Sequence, residues 1–284
     1  MQERNVVVRG LPTGFLTSPG EADRPVLLFF HGYPDTPWIF EDQFSQFMDH
    51  FYVIAPFMRG VGPSIGGTED NRFSLDSIAL DILGILQRLN VKNQPVYLVC
   101  HDLGVPQALH VAPLLGGRLK GLVVMAGLSI GMMVHRLRMP KQHIKSWYIY
   151  LMQVPGLAEA LLRRRPKNWL DLAYTLGGLD RERRPTNAGS GLSPAFKHYR
   201  SYVQASLRKA IRHPKAIDVP SLVVWGKKDG FLLPPTIDEL ERELTNVEVR
   251  ILPGGHWLFR EHPEEVNGLI LDFVERIHRG LKAS

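Results

Sequence analysis

The chain has 284 residues with 44% hydrophobic and 22% charged content, enough apolar material for a sizeable core and too much for a disordered polypeptide. One cysteine excludes an intramolecular disulfide framework and a cysteine-rich zinc cluster. The charged opening MQERNVVVRG lacks a signal-peptide core, and no apolar run reaches the roughly 18 residues that span a bilayer, so a cytoplasmic location is expected.

Residues 4–9 and 13–17 read as an opening pair of strands. PVLLFF at 25–30 is a continuous apolar run, as a strand buried on both faces requires, and HGYP follows it at 31–34. A helix is expected over 37–49, a strand over 51–56 (FYVIAP), the loop RGVGPS at 59–64 and a helix over 75–90. VYLVC at 96–100 is the next strand, and it runs into Cys100-His101-Asp102-Leu103-Gly104. A helix over 105–115 follows, with Pro106 in its first turn, where a missing N–H costs nothing. Strands are expected at 119–127, 221–226 and 247–252, and helices at 235–243 and 263–279. Strands alternating with helices predict an α/β protein, with a mostly parallel eight-stranded sheet flanked by helices.

Between about 130 and 212 the alternation stops. Helical periodicity appears in SWYIYLMQ and FKHYRSYVQASLRKAIR, with Gly/Pro breaks around 177–194. This predicts a helical insertion, 130–212, over the carboxyl edge of a core formed by 1–129 and 213–284, the edge where open α/β sheets bind ligands. Charge is uneven too. Residues 130–218 hold 17 Lys/Arg and 5 Asp/Glu, against 17 and 23 in the rest of the chain. No nucleic-acid motif accompanies the Arg clusters at 163–165 and 181–184, so nucleic acid is not an expected partner. A solvated cationic face is the favoured reading over contact with an anionic membrane.

One acidic residue stands where a buried strand ends. Small residues two before and two after Asp102, between strand and helix, fit the turn that lifts a nucleophile above a sheet, with Asp in place of Ser. The alternative is that Asp102 simply caps the helix. The HGYP loop could supply the backbone N–H of Tyr33, and the helix start that of Leu103, to one developing negative charge. Asp229 in KKDG and His256 in PGGHW each follow a strand, and the order Asp102, Asp229, His256 matches nucleophile, acid and base in this kind of fold.

The motifs HGYPDTPW, RGVGPS, CHDLG, WGKKDGFLLPP and PGGHW together resemble the epoxide hydrolases of the α/β-hydrolase superfamily, an Asp-nucleophile branch related to haloalkane dehalogenases. The resemblance covers nearly the whole chain. It implies Asp102 as nucleophile, Asp229 and His256 as the water-activating pair, and no metal or organic cofactor. SWYIYLMQVPGLAE resembles the helix bearing the family's first catalytic tyrosine and places it on Tyr148. FKHYRSY places the second on Tyr199, with Tyr150, Tyr174 and Tyr202 as alternatives. The expected pocket is lined by His31, Pro34, Trp38, Trp147, Met152 and Trp257, with Trp169 and Leu103 adding to an apolar interior. The implied partners are an apolar epoxide and water, and the oligomeric state is open. Leu103 stands where these families usually carry Trp, and Tyr33 replaces the dehalogenases' halide-binding Asn; both departures weigh against haloalkane dehalogenation. A haloalkane dehalogenase or another Asp-nucleophile α/β-hydrolase, and a catalytically silent binding protein on this fold, are the competing readings.

Overall fold

A computed structural model describes residues 1–19, 23–64, 70–164, 166–185, 192–207 and 217–283. Eight strands form one sheet: β1 (Gln2–Val8), β2 (Leu11–Thr17), β3 (Val26–Phe30), β4 (Tyr52–Pro56), β5 (Val96–His101), β6 (Leu119–Met125), β7 (Ser221–Gly226) and β8 (Val247–Leu252). Their spatial order is β1-β2-β4-β3-β5-β6-β7-β8. β1 and β2 pair antiparallel, as does β2 with β4, and every pairing from β4 onward is parallel. Strands β3, β4, β5 and β7 are buried along their whole length, which is why they read as unbroken apolar runs. In the centre of the sheet the register runs from Val26 opposite Val96 to Phe30 opposite Cys100.

Helices flank the sheet. α1 (Glu41–Phe47) packs with α12 (Pro263–Ala283), which follows the short α11 (Leu258–Glu261), and α2 (Leu75–Arg88) packs with α3 (Gly104–Leu115). Val266, Ile270, Phe273 and Val274 of α12 are buried at helical spacing. Each such side chain contributes about 1.5–3 kcal/mol by leaving water. α2 starts at Ser74, whose hydroxyl accepts the Ser77 N–H.

Three expected elements are shorter than their sequence pattern. The helix expected at 37–49 divides into a 3-10 turn, Pro37–Phe40, and α1. β6 stops at Met125, because Ala126 takes φ +41° and turns the chain out of the sheet. The helix expected at 235–243 is reduced to α10, Ile237–Leu240, opened by a capping box between Thr236 and Glu239. Its continuation is diverted into a bridge, where the Ile217 N–H donates to the Glu243 carbonyl at 2.8 Å.

Between β6 and β7 the described residues form helices and no strand of the sheet: α4 (Ile130–Arg136), α5 (Pro140–Lys145), α6 (Trp147–Gln153), α7 (Leu157–Arg164), α8 (Pro166–Leu176) and α9 (Leu192–Leu207). The expected junction at 212/213 and the end of the periodic run beyond Leu207 lie outside the described residues. From β3 the chain crosses to β4 on one side, and β5 then returns to the other side of β3. The carboxyl ends of β3 and β5 therefore flank the point where the winding reverses, the crevice in which such sheets bind ligands.

Candidate active site

Asp102 sits one residue beyond β5 with φ +49°, a left-handed conformation costly for any residue but glycine. Close backbone approach holds it there. A Cβ on Gly32 would lie 2.4 Å from the Asp102 Cβ, and one on Gly104 would lie 2.4 Å from the Phe30 carbonyl oxygen. The small residues seen in sequence thus allow the β3 and β5 loops to touch. Across that contact the Tyr33 N–H donates to Asp102 Oδ1 at 2.9 Å. Leu103 is the N-cap of α3, and among the described residues its N–H makes no hydrogen bond.

Asp229 follows β7, and its Oδ1 accepts the N–H groups of Phe231 (2.8 Å) and Leu232 (2.9 Å). That orients Oδ2 toward His256 Nδ1, 2.9 Å away. His256 follows β8 and is fixed by its own N–H, which donates to the Gly177 carbonyl at 2.8 Å. Its Nε2 lies 3.5 Å from Asp102 Oδ2. The structure therefore brings Asp102, His256 and Asp229 into one line. His101 adds support from behind, donating Nε2–H to the His256 carbonyl at 3.0 Å, with the rings 4.7 Å apart.

Burial and charge oppose each other at these groups. Burial disfavours the His256 cation, but the two flanking carboxylates outweigh it and raise the ring to about 10. Burial likewise pushes Asp102 up, and the facing His256, with the Tyr33 N–H, returns it below the usual carboxylate range. Desolvation lowers His101 to about 3, so it is a neutral ring.

Tyr148 on α6 and Tyr199 on α9 face the same space from above, both buried, with rings edge to face at 6.2 Å. Burial, and after it the Asp102 charge, holds both phenols protonated well above their ordinary value. Of the alternative tyrosines, Tyr150 is exposed and hydrogen-bonds His143 at 3.0 Å, so it does not face the site. Tyr174 is turned to Asp35, and Tyr202 lies farther along α9.

Two cavities meet here. One is lined by Tyr33, Pro34, Trp147, Met152, Trp169 and Trp257 together with Phe231 and the α8 residues Leu172, Ala173 and Leu176. The other runs past Leu103, Leu128, Met133, Ile149, Tyr202 and Val203. Asp102, Tyr148 and Tyr199 line both. Two residues expected in the pocket are elsewhere. His31 lines neither cavity: its Nδ1 donates to the Gly32 carbonyl at 2.9 Å and its Nε2 accepts the Met58 N–H at 3.1 Å, which turns the ring behind the loop. Trp38 is half-buried against the core and outside both cavities. Among the described residues no group of His, Cys, Asp or Glu is placed to hold a metal ion.

Residues 27–269 match the model of the alpha/beta hydrolase family. The chain belongs to that family. This hydrolase is 27% identical to mouse epoxide hydrolase 3 over 91% of its own length and 72% of the relative's. It is 26% identical to epoxide hydrolase A of Mycobacterium tuberculosis, over 90% and 92% of the two chains. It is equally similar, at 26%, to the AB hydrolase superfamily protein YfhM of Bacillus subtilis, over 92% and 93%. In backbone it resembles the epoxide hydrolase of Bacillus megaterium (TM-score 0.78, 22% identity, 96% and 100% covered). A putative acyltransferase from Salmonella enterica shares the fold with TM-score 0.85 at 18% identity, over 97% and 95%. Fold alone therefore does not choose the reaction.

A buried acid that the sequence reading passed over lies beside this hydrolase's site. Asp35 accepts the Tyr174 hydroxyl at 2.9 Å on Oδ1 and the Trp257 indole N–H at 2.7 Å on Oδ2. Burial raises its carboxyl to about 7 against those two hydrogen bonds. It ties the loop after β3 to α8 and to the residue next to His256. The only sequence signal was an acidic residue following HGYP at the tip of a buried strand.

Proposed function

We propose that this hydrolase opens an epoxide to a vicinal diol through an alkyl ester on Asp102. The observation that carries the reading is that Asp102, Tyr148 and Tyr199 are the side chains common to both cavities. An epoxide needs a nucleophile on one side and proton donors on the other, in one water-poor space. A halide leaves as a stable anion and needs no phenol.

In this mechanism Asp102 Oδ2 attacks one epoxide carbon, forming a C–O ester bond as the ring C–O bond breaks. The ring oxygen takes the electron pair and receives a proton from Tyr148 or Tyr199, both of which carry one. The Asp102 anion is now gone, and with it one of the two charges that hold His256 protonated. His256, still paired through Nδ1 with Asp229, yields its Nε2 proton, on balance to the phenolate left behind. It then deprotonates a water that attacks the Asp102 carbonyl carbon. The resulting oxyanion forms on Oδ1, which the Tyr33 N–H already addresses, and the unpaired Leu103 N–H is the second donor assigned to it. Collapse breaks the bond between the Asp102 carboxyl carbon and Oδ2, the departing alkoxide takes back the proton from His256 Nε2, and the diol leaves with a new hydroxyl oxygen from Asp102. Residues 130–212 act as the cap that brings the two phenols over the sheet.

Two arms meeting at the reacting groups suit an epoxide substituted on both carbons, one apolar substituent entering each cavity. The expected preference is for bulky or long-chain substrates. A diol assay tests the proposal: kcat/KM should be higher for styrene oxide and disubstituted epoxides than for propylene oxide, without halide release from haloalkanes. Halide release with no diol would replace the reading with a dehalogenase, and a preference for propylene oxide would remove the two-arm argument.

A further inference from the structure

The segment between β6 and β7 carries exposed apolar side chains on successive helices. They are Ile144 on α5 (71% exposed), Trp147 and Tyr150 on α6, Leu157 and Leu161 on α7, and Leu172 and Leu176 on α8. On α6, α7 and α8 they recur at i, i+3 or i+4, so each of these three helices presents one apolar face outward, and Ile144 of α5 adds to it. α5, α6, α7 and α8 pack in sequence, each against the next. Trp147, Leu172 and Leu176 also line the first cavity, so the outward apolar surface runs into the mouth of the site.

The charges among these helices are one-sided. The acids Glu159 and Asp171 are paired with Arg200 and Arg184, each at 2.7 Å. Lys141 on α5 and Arg164 on α7 are exposed, each three residues from Ile144 or Leu161 and so on the same helix face, and among the described residues neither makes an ion pair. An apolar face edged by uncompensated cations is the pattern that lies in the headgroup region of an anionic bilayer, with apolar side chains below and cations at the phosphates. No described helix is long and apolar enough to cross a membrane, so the contact would be peripheral. A second copy of the chain fits less well, because a twofold contact would set the same cations against each other.

We propose that the outer surface of α5–α8 docks this hydrolase on anionic lipid, with the mouth of the first cavity facing the bilayer. An apolar substrate dissolved in lipid then reaches the site without crossing water. Docking does not depend on the chemistry assigned to Asp102, and the test reads binding alone. The protein is co-sedimented with vesicles of phosphatidylcholine, pure or mixed with phosphatidylglycerol, at low and high salt. Binding is expected to the mixed vesicles and to weaken with salt. Each cation near the surface strengthens such binding about fivefold, so Lys141→Gln/Arg164→Gln should bind roughly 25-fold more weakly. Ile144→Ser/Leu161→Ser should also release the protein. None of these four side chains lines either cavity, so turnover of a water-soluble epoxide and the thermal melt serve as folding controls. Equal binding to both vesicle types, no binding to either, or an oligomer that Ile144→Ser/Leu161→Ser dissociates in lipid-free sedimentation would overturn the proposal.

Discussion

The residues at the ends of β5, β7 and β8 were legible because their chemistry is written locally. Small residues around Asp102 report a close backbone approach, and the structure shows that approach as a 2.9 Å hydrogen bond from the β3 loop. The ring direction of His31 was not legible, since it is set by Met58, 27 positions away. Asp35 was missed for the same reason: its partners lie 139 and 222 positions distant. Two predictions belong to single residues. The first concerns pH. With Asp102 ionised and His256 raised to about 10 in the resting enzyme, alkylation should be nearly flat between pH 6 and 8 as an order-of-magnitude expectation. Ester hydrolysis needs neutral His256 and should rise with pH, through an apparent value below the resting one because the Asp102 charge is gone. Stopped-flow tryptophan fluorescence can follow both phases; a hydrolysis phase without pH dependence would exclude His256 as the base. The second concerns the phenols. Tyr148→Phe and Tyr199→Phe should each keep some activity, while the double variant should slow alkylation by roughly 10²-fold or more and spare ester hydrolysis. Unchanged alkylation in the double variant would reduce both tyrosines to packing residues.

At the level of elements, strand and helix positions were largely legible from buried apolar runs and helical periodicity. The exceptions, the early stop of β6 and the truncated α10, arise where tertiary contacts turn the backbone at Ala126 and divert Glu243 to Ile217. What no periodicity could show was where α8 docks. Asp35 joins α8 to the β3 loop, and removing it strands two buried donors, Tyr174 and Trp257. Asp35→Ala should therefore lower stability by about 1–3 kcal/mol for each donor left unpaired, read as a fall in denaturation midpoint. The acid also shapes pH dependence. It ionises at about 7 in the folded chain and at its ordinary 3.8 when unfolded. Between those values the folded state binds the extra proton, so stability falls as pH rises from about 4 to about 7. Asp35→Asn should remove that part of the slope; an unaltered slope would assign it to other groups. The start of α3 carries a further prediction. Leu103 lines the second cavity, and Leu103→Trp should fill it, cutting kcat/KM for disubstituted epoxides tenfold or more while sparing styrene oxide. Equal losses for both substrates would mean that the second cavity holds no substituent.

Across the whole molecule, the parallel sheet with a helical segment between β6 and β7 follows from the alternation of patterns and its interruption. The site lies where the winding order reverses, between the ends of β3 and β5, a position the fold class dictates. The fold does not dictate the chemistry, since a putative acyltransferase shares it as closely as the epoxide hydrolases do. Covalent attack by Asp102 is therefore the claim on which the account stands, and oxygen tracing reaches it without altering the protein. The enzyme in excess over styrene oxide, in heavy-oxygen water, is allowed one turnover, and the diol and the Asp102 peptide are weighed. The account predicts a first-turnover diol without label and a heavy oxygen retained in the Asp102 carboxylate. Label in that first diol, with Asp102 unlabelled, would mean that water attacks the epoxide directly and would contradict it.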